Sequence, residues 1–280
     1  MNIEDTITRI YVEVDDFCKR ELSDNPLRQR GFSPSLSDAE VLTMEIVGEL
    51  QGRHDDAAIW RYFHQHWRGW FPGLGAYKTF AKQCANLAWL KQRFLAVISP
   101  PQHSDLHIID GVPMPVCRTV RAYRSRIFKG IAAWGYCASK DEHYYGLRGH
   151  PVIAADGRVV DFIVTPANAD ERSTLDDLIG KIRGLLLGDK GFISQDWQNK
   201  LAQNSINLQT PLRKNMPDNR PKAEVSLMMR IRRRIETAIG ILSEQFAITR
   251  IKARDLWHFT SKLTRKLIAY NFYIKFRSES

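Results

Sequence analysis

Three acidic residues, each delivered by a different apolar segment, are where this sequence could do chemistry. Asp110 closes the run Leu106-His107-Ile108-Ile109, Asp189 closes Leu185-Leu186-Leu187-Gly188, and Glu236 sits on an amphipathic helical segment. Gathered together, such carboxylates form a cage for hard divalent cations such as Mg²⁺, which take oxygen ligands and leave the remaining positions to water and phosphate. Two such ions about 4 Å apart activate an attacking oxygen and stabilise a leaving one, which is the chemistry of cutting and joining phosphodiesters.

Each carboxylate also has a structural reading, since most Asp and Glu in a globular protein are solvated or cap helices. Asp110 resists it. An apolar run of strand length precedes it and the breakers Gly111 and Pro113 follow, which puts it at the carboxyl end of a buried strand. Asp189 repeats the pattern, with Lys190-Gly191 behind it, and strand ends of open α/β sheets are where ligands bind. Glu236 is weaker on spacing alone. Met228, Ile231, Ile235, Ile239, Leu242 and Phe246 form an apolar stripe at helical spacing, and Glu236 falls beside it. Arg232 and Arg233 precede Glu236 on the same side, so a surface ion pair worth a few tenths of a kcal/mol accounts for it without any site.

Charge is spread unevenly. Residues 211–280 hold 16 Lys or Arg against 6 Asp or Glu, whereas residues 1–210 hold 25 of each, so the whole net charge of +10 lies in the last quarter. A basic surface of that strength attracts a phosphate backbone without reading sequence. A solvated face on long helices is the alternative. With 280 residues the chain has room for one large domain or two ordinary ones. Cys18, Cys84, Cys117 and Cys137 lack zinc or disulfide spacing and read as small buried residues in a reducing compartment. With no charged-then-apolar leader and no membrane-length apolar stretch, a soluble cytoplasmic protein is expected.

The elements that must position the acids change character near residue 100, where Pro100-Pro101 interrupts the chain. Before it the signals are helical. Ser37 and Glu40 form a capping box opening a helix over 38–50, a second apolar pattern covers 57–67, and Lys78 and Lys82 lie on a third helix that is either a recognition helix or part of a plain packing module. Trp60, Trp67, Trp70 and Trp89 are expected to pack this small core. After residue 103 the period becomes strand-like. Strands are expected over 106–110 and 129–138, and a hairpin over 149–154 and 159–164 closes on Asp156-Gly157. A helix over 174–183, a strand over 185–189, a helix over 197–203, a strand over 206–209, a polar loop over 214–222 and the long helix of Glu236 follow. That order predicts an α/β domain with a ribonuclease H-like mixed sheet flanked by helices. It would span 103–280 with basic C-terminal helices, preceded by a small helical domain over 1–100 that is a candidate DNA-binding module.

The chain resembles the DDE transposases of bacterial insertion sequences, most closely the insertion-sequence family numbered nine-eight-two. The resemblance runs from about residue 105 to 275, through Ile109-Asp110-Gly111-Val112-Pro113, Tyr145-Gly146-Leu147-Arg148-Gly149-His150, Thr165-Pro166-Ala167-Asn168, Gly188-Asp189-Lys190-Gly191-Phe192 and Arg233-Arg234-Ile235-Glu236-Thr237. It implies that Asp110, Asp189 and Glu236 are the catalytic carboxylates and hold two Mg²⁺, with Mn²⁺ able to substitute. It also implies that the partners are double-stranded DNA, both transposon terminal inverted repeats and target, that the protein acts as a homodimer on DNA, and that it works among nucleoid DNA. Arg148, Lys190, Arg232, Arg233 and Arg234 are the candidate phosphate contacts, and Lys78 and Lys82 the candidate end-recognition residues. Three places depart from the patterns of the family and its relatives. Arg148 stands where similar chains often have Lys, and Asp170-Glu171 where they have His-Asp. Ser243 carries no charge where related groups place a cation two helical turns beyond the glutamate. For His150 a packed histidine and a site residue are equally open. Rival readings are a DNA-binding regulator without catalysis, a decayed or domesticated transposase, and a stand-alone metal-dependent nuclease.

Overall fold

The structure, a computed structural model, describes residues 2–23, 27–28, 33–99, 104–138 and 141–279. The expected break at Pro100-Pro101 lies outside these residues. The chain forms two compact units, one of residues 1–98 with 252–280 and the other of residues 99–251.

The first unit is helical: α1 (Ile3–Leu22), α2 (Asp38–Leu50), α3 (Asp56–His66), α4 (Tyr77–Asn86), α5 (Ala88–Ile98) and α8 (Leu256–Ser278). The capping box opens α2 as read from the sequence, Ser37 Oγ accepting from Glu40 N–H at 3.1 Å and Glu40 accepting from Ser37 N–H at 2.6 Å. The tryptophans do not make this core. Trp70 and Trp89 are exposed, Trp60 and Trp67 half-buried, and the interior is built from Ile10, Val41, Leu42, Phe63, Phe94 and Ile268.

The C-terminal segment departs from expectation: α8 belongs to this helical unit and not to the sheet domain, so the boundary expected at 103–280 falls instead at 251. An internal charge network fixes it. Lys91 Nζ meets Glu45 at 2.7 Å and Ser261 Oγ at 2.8 Å, Arg265 Nε meets Glu49 at 2.8 Å and also pairs with Asp56, and Lys266 Nζ meets Glu49 at 2.8 Å. Lys91, Arg265, Lys266, Glu45 and Glu49 are all buried. Arg265 and Lys266 are therefore not part of a DNA-facing basic surface, because a buried charge is tolerable only with its counterion. Burial works to raise the Glu49 carboxyl, but Arg265, His54 and Lys266 overcome it and hold the group below its ordinary range.

The second unit is the expected mixed α/β domain. Among the described residues, β1 (Leu106–Ile109), β2 (Val112–Pro115), β3 (Ala133–Cys137), β4 (Glu142–Ala154), β5 (Val159–Pro166), β6 (Gly184–Leu187) and β7 (Ile206–Gln209) form a seven-stranded sheet, and α6 (Gln195–Ala202) and α7 (Lys222–Glu244) flank it. The order is β2-β4-β1-β6-β7, with β3 and β5 also on β4; β1, β6 and β7 run parallel and β4 runs against β1. Ile109, Val152, Leu175, Leu186, Phe192 and Leu208 are among its core. The β4–β5 hairpin turns at Gly157, whose φ of +92° suits glycine.

Three sequence expectations change here. Pro113, read as a breaker, lies within β2 (Val112–Pro115), and the prolines of that strand are tolerated because β2 ends the sheet order. The strand expected at 149 begins at Glu142. The helix expected over 174–183 is a 3-10 segment, Glu171–Leu178. There the Ser173 and Thr174 hydroxyls donate to the Asp170 and Glu171 carbonyls at 2.7 and 2.6 Å, and Gly180 follows at φ +80°.

Candidate active site

Strand register brings the first two acids together. β1 and β6 pair in parallel with Ile108 opposite Leu187, a separation of 79 residues, which is also the separation of Asp110 and Asp189. Both strands therefore deliver their aspartates to one edge of the sheet, and the fully buried Ile108, Ile109, Leu186 and the nearly buried Leu187 anchor them. Glu236 arrives from α7, whose buried Ile235, Ala238 and Leu242 fix the helix and leave Glu236 on its exposed side.

The three carboxylates converge on one cation. Arg232 Nη2 lies 3.4 Å from Asp110 Oδ2 and 3.2 Å from Asp189 Oδ1, and Arg232 Nη1 lies 3.6 Å from Glu236 Oε1. The Arg232 side chain is only 12% exposed, against 43% for Asp189 and 59% for Glu236, so the guanidinium forms the floor beneath an open acidic mouth. The pairing of Arg232 with Glu236 one turn later matches the surface reading of the sequence, but the same guanidinium also holds both aspartates. Asp110 feels the crowding most. Burial, and the charges of Asp189 and Glu171, push its carboxyl up to about 6, against the opposing pull of the Gly111 N–H and Arg232.

Glu171 is the residue that sequence reasoning missed. Its carboxylate pairs with Arg148 and packs against the glycines that follow both aspartates. A Cβ on Gly191 would run into Glu171 Oε2, and one on Gly111 would come 3.4 Å from Oε1. Arg148 also donates to the Tyr136 carbonyl at 3.1 Å. The signal was the Asp170-Glu171 departure from the family pattern, but nothing in spacing ties residue 171 to 111 and 191.

The other candidates are dispersed. Arg148 is committed to Glu171. Lys190 and Arg233 are exposed, and Arg234 reaches the Ala155 carbonyl at 2.9 Å. Lys78 and Lys82 are exposed on α4, in the helical unit. His150 is a packed histidine in β4, with Nε2 3.1 Å from Thr165 Oγ1; burial and then the Arg148 charge push its pKa down to about 4.

A divalent-metal role has to fit this geometry. Among the described residues no three His, Cys, Asp or Glu side chains already stand as a ligand set. The donors nevertheless suit a hard cation, being carboxylate oxygens from three separate elements that already share a positive charge, that of Arg232.

A mixed sheet carrying acids at the ends of two parallel neighbouring strands, with a third acid on a late helix, is a ribonuclease H-like arrangement. The chain belongs to the transposase DDE domain family, whose family model matches residues 101–256. Among solved structures it is similar to a piggyBac transposase in a synaptic complex with hairpin DNA, at a TM-score of 0.50 and 10% identity, covering 96% of this chain and 72% of that one. No curated protein sequence matches it. No helix among the described residues is long and apolar enough to cross a membrane.

Proposed function

We propose that this transposase cuts DNA at the ends of a bacterial insertion sequence, of the kind numbered nine-eight-two, and transfers the freed 3′-hydroxyls to target DNA, with Asp110, Asp189 and Glu236 as its catalytic carboxylates. The observation that carries the proposal is the convergence of those three side chains, from β1, β6 and α7, on the single guanidinium of Arg232. Asp110, Asp189 and Glu236 would hold two Mg²⁺, replaceable by Mn²⁺, and the ions would supply Lewis-acid charge at the scissile phosphate. The aspartates lie just beyond the ends of β1 and β6, whereas Glu236 stands exposed on α7. Arg232 holds the three acids gathered around one positive charge beforehand. The exposed Arg233 and Lys190 would meet the DNA backbone, and Lys78 and Lys82 on α4 would help recognise the terminal repeats. Cutting two ends and joining both to one target implies two copies of the chain on double-stranded DNA.

The test is Mg²⁺-dependent cleavage of a duplex carrying the inverted repeats that flank the coding sequence. Asp110→Asn, Asp189→Asn and Glu236→Gln should each abolish cutting and leave DNA binding nearly unchanged. Cleavage that survives in any of them removes that residue from the site. Joining of the cut end to a second duplex separates a transposase from a stand-alone nuclease.

A further inference from the structure

The stretch from Gly111 to Lys140 contains six Lys or Arg and no Asp or Glu. Arg118, Arg121, Arg124, Arg126 and Lys129 within it are all exposed, and among the described residues none is paired with a carboxylate. The 3-10 segment Thr119–Arg124 places Tyr123 among them at 89% exposure, an unusual position for an aromatic ring.

Tyr123 is the first ring of a row. On β3 the burial alternates, with Gly135 and Cys137 inward and Trp134 and Tyr136 outward. Trp134 lies directly opposite Tyr145 on β4, and Tyr136 opposite His143. Ring centroids are 5.5 Å apart for Tyr123 and Trp134, 5.7 Å for Trp134 and Tyr145, and 5.1 Å for Tyr136 and His143. The row is anchored beside the acids, because Arg148 donates to the Tyr136 carbonyl and pairs with Glu171, which lies against Gly111 and Gly191.

Rings that offer their faces, interleaved with unpaired cations, match unpaired nucleic acid, whose bases stack on aromatics while the backbone meets positive charge. A duplex keeps its bases stacked within itself and would use the cations alone. An apolar protein surface would have to desolvate five charges that have no carboxylate partner among the described residues. We propose that the face formed by Thr119–Arg124, β3 and the start of β4 binds a single-stranded DNA segment next to the phosphate being processed. Tyr123, Trp134 and Tyr145 would stack on its bases, and Arg121 and Arg124 would contact its phosphates. The proposal rests on the DNA-cutting reading above.

Fluorescence anisotropy of the full chain tests it, with a labelled oligothymidylate of about fifteen nucleotides and a blunt duplex of equal length. Tyr123→Ala combined with Trp134→Ala should weaken oligothymidylate binding about tenfold or more and leave duplex binding nearly unaltered. Both rings are exposed, so the thermal midpoint should hold. Arg121→Gln with Arg124→Gln should flatten the salt dependence of single-strand binding by roughly 1.4 in log–log slope, about 0.7 for each phosphate no longer neutralised. The proposal is overturned if the ring variant binds oligothymidylate as tightly as the parent, or if it loses duplex affinity equally. A parent chain that binds duplex but not oligothymidylate overturns this inference alone, and one that binds neither overturns the DNA reading with it.

Discussion

Replacing Arg232 by Gln should make the metal-free protein weaker and its metal binding stronger. In the metal-free state the guanidinium touches three carboxylates at 3.2–3.6 Å. These pairings differ in worth. Asp110 is largely sheltered, and a charge-assisted hydrogen bond there contributes about 1.5–3 kcal/mol. Asp189 and Glu236 are more than a third exposed, so solvent screening leaves each pair at roughly 0.2–1 kcal/mol. Arg232→Gln should therefore cost about 2–5 kcal/mol of metal-free stability.

The same free energy opposes metal binding, because a cation entering among these oxygens must displace or share the guanidinium. Removing it should tighten Mn²⁺ binding, and even 2 kcal/mol corresponds to roughly 30-fold in affinity. Arg232→Lys should fall between, since a single ammonium cannot span three carboxylates as the planar fork does. Urea denaturation with a chelator present reads the first effect, and titration of Mn²⁺ followed by its paramagnetic resonance signal reads the second. A folded Arg232→Gln protein that binds Mn²⁺ no more tightly than the parent would refute the reasoning, and Arg232 would then be a companion of the ions and not their competitor.

Other outcomes follow from the same geometry. His150 is fully buried with its pKa near 4, below the ordinary value near 6.5, so the folded state refuses a proton that the unfolded chain accepts. Stability should hold above pH 6.5 and fall by about 3 kcal/mol as pH drops from there to 4, and His150→Gln should remove most of that slope in urea melts. Arg265→Met strands the buried Glu45 and Glu49 and should cost about 3–5 kcal/mol by chemical denaturation, whereas replacing Glu45 and Lys91 together by Met should cost much less. Gly191→Ala drives a methyl into Glu171, held in place by Arg148, and should cost about 1 kcal/mol; a double-mutant cycle with Glu171→Ala should show that penalty vanish.

What the sequence discloses and what it hides divides along sequence distance. β1 and β6 are legible because buried parallel strands are short apolar runs with a breaker behind them, and their equal offset from the two aspartates is already written in the numbering. The capping box of α2 and the Asp156-Gly157 turn are local chemistry and read directly. β2 is hidden because two prolines mask a strand whose pairing is decided by β4. The placement of α8 is hidden more deeply, since Arg265 and Lys266 look like surface cations until Glu45 and Glu49, more than 200 residues earlier, are found beside them.

Arg232 shows how a correct local reading can still miss the meaning. Four residues before Glu236 on one helix, it has the spacing of a surface ion pair, and that pair exists. Helical spacing cannot reveal that the same side chain is nearly buried, nor that β1 and β6 bring Asp110 and Asp189 within reach of its second nitrogen. A surface pair would have needed no shelter. This arginine is sheltered because three acids gathered without a counterion would repel one another, and for that reason the residue beside the expected ligands says as much about the site as the ligands do.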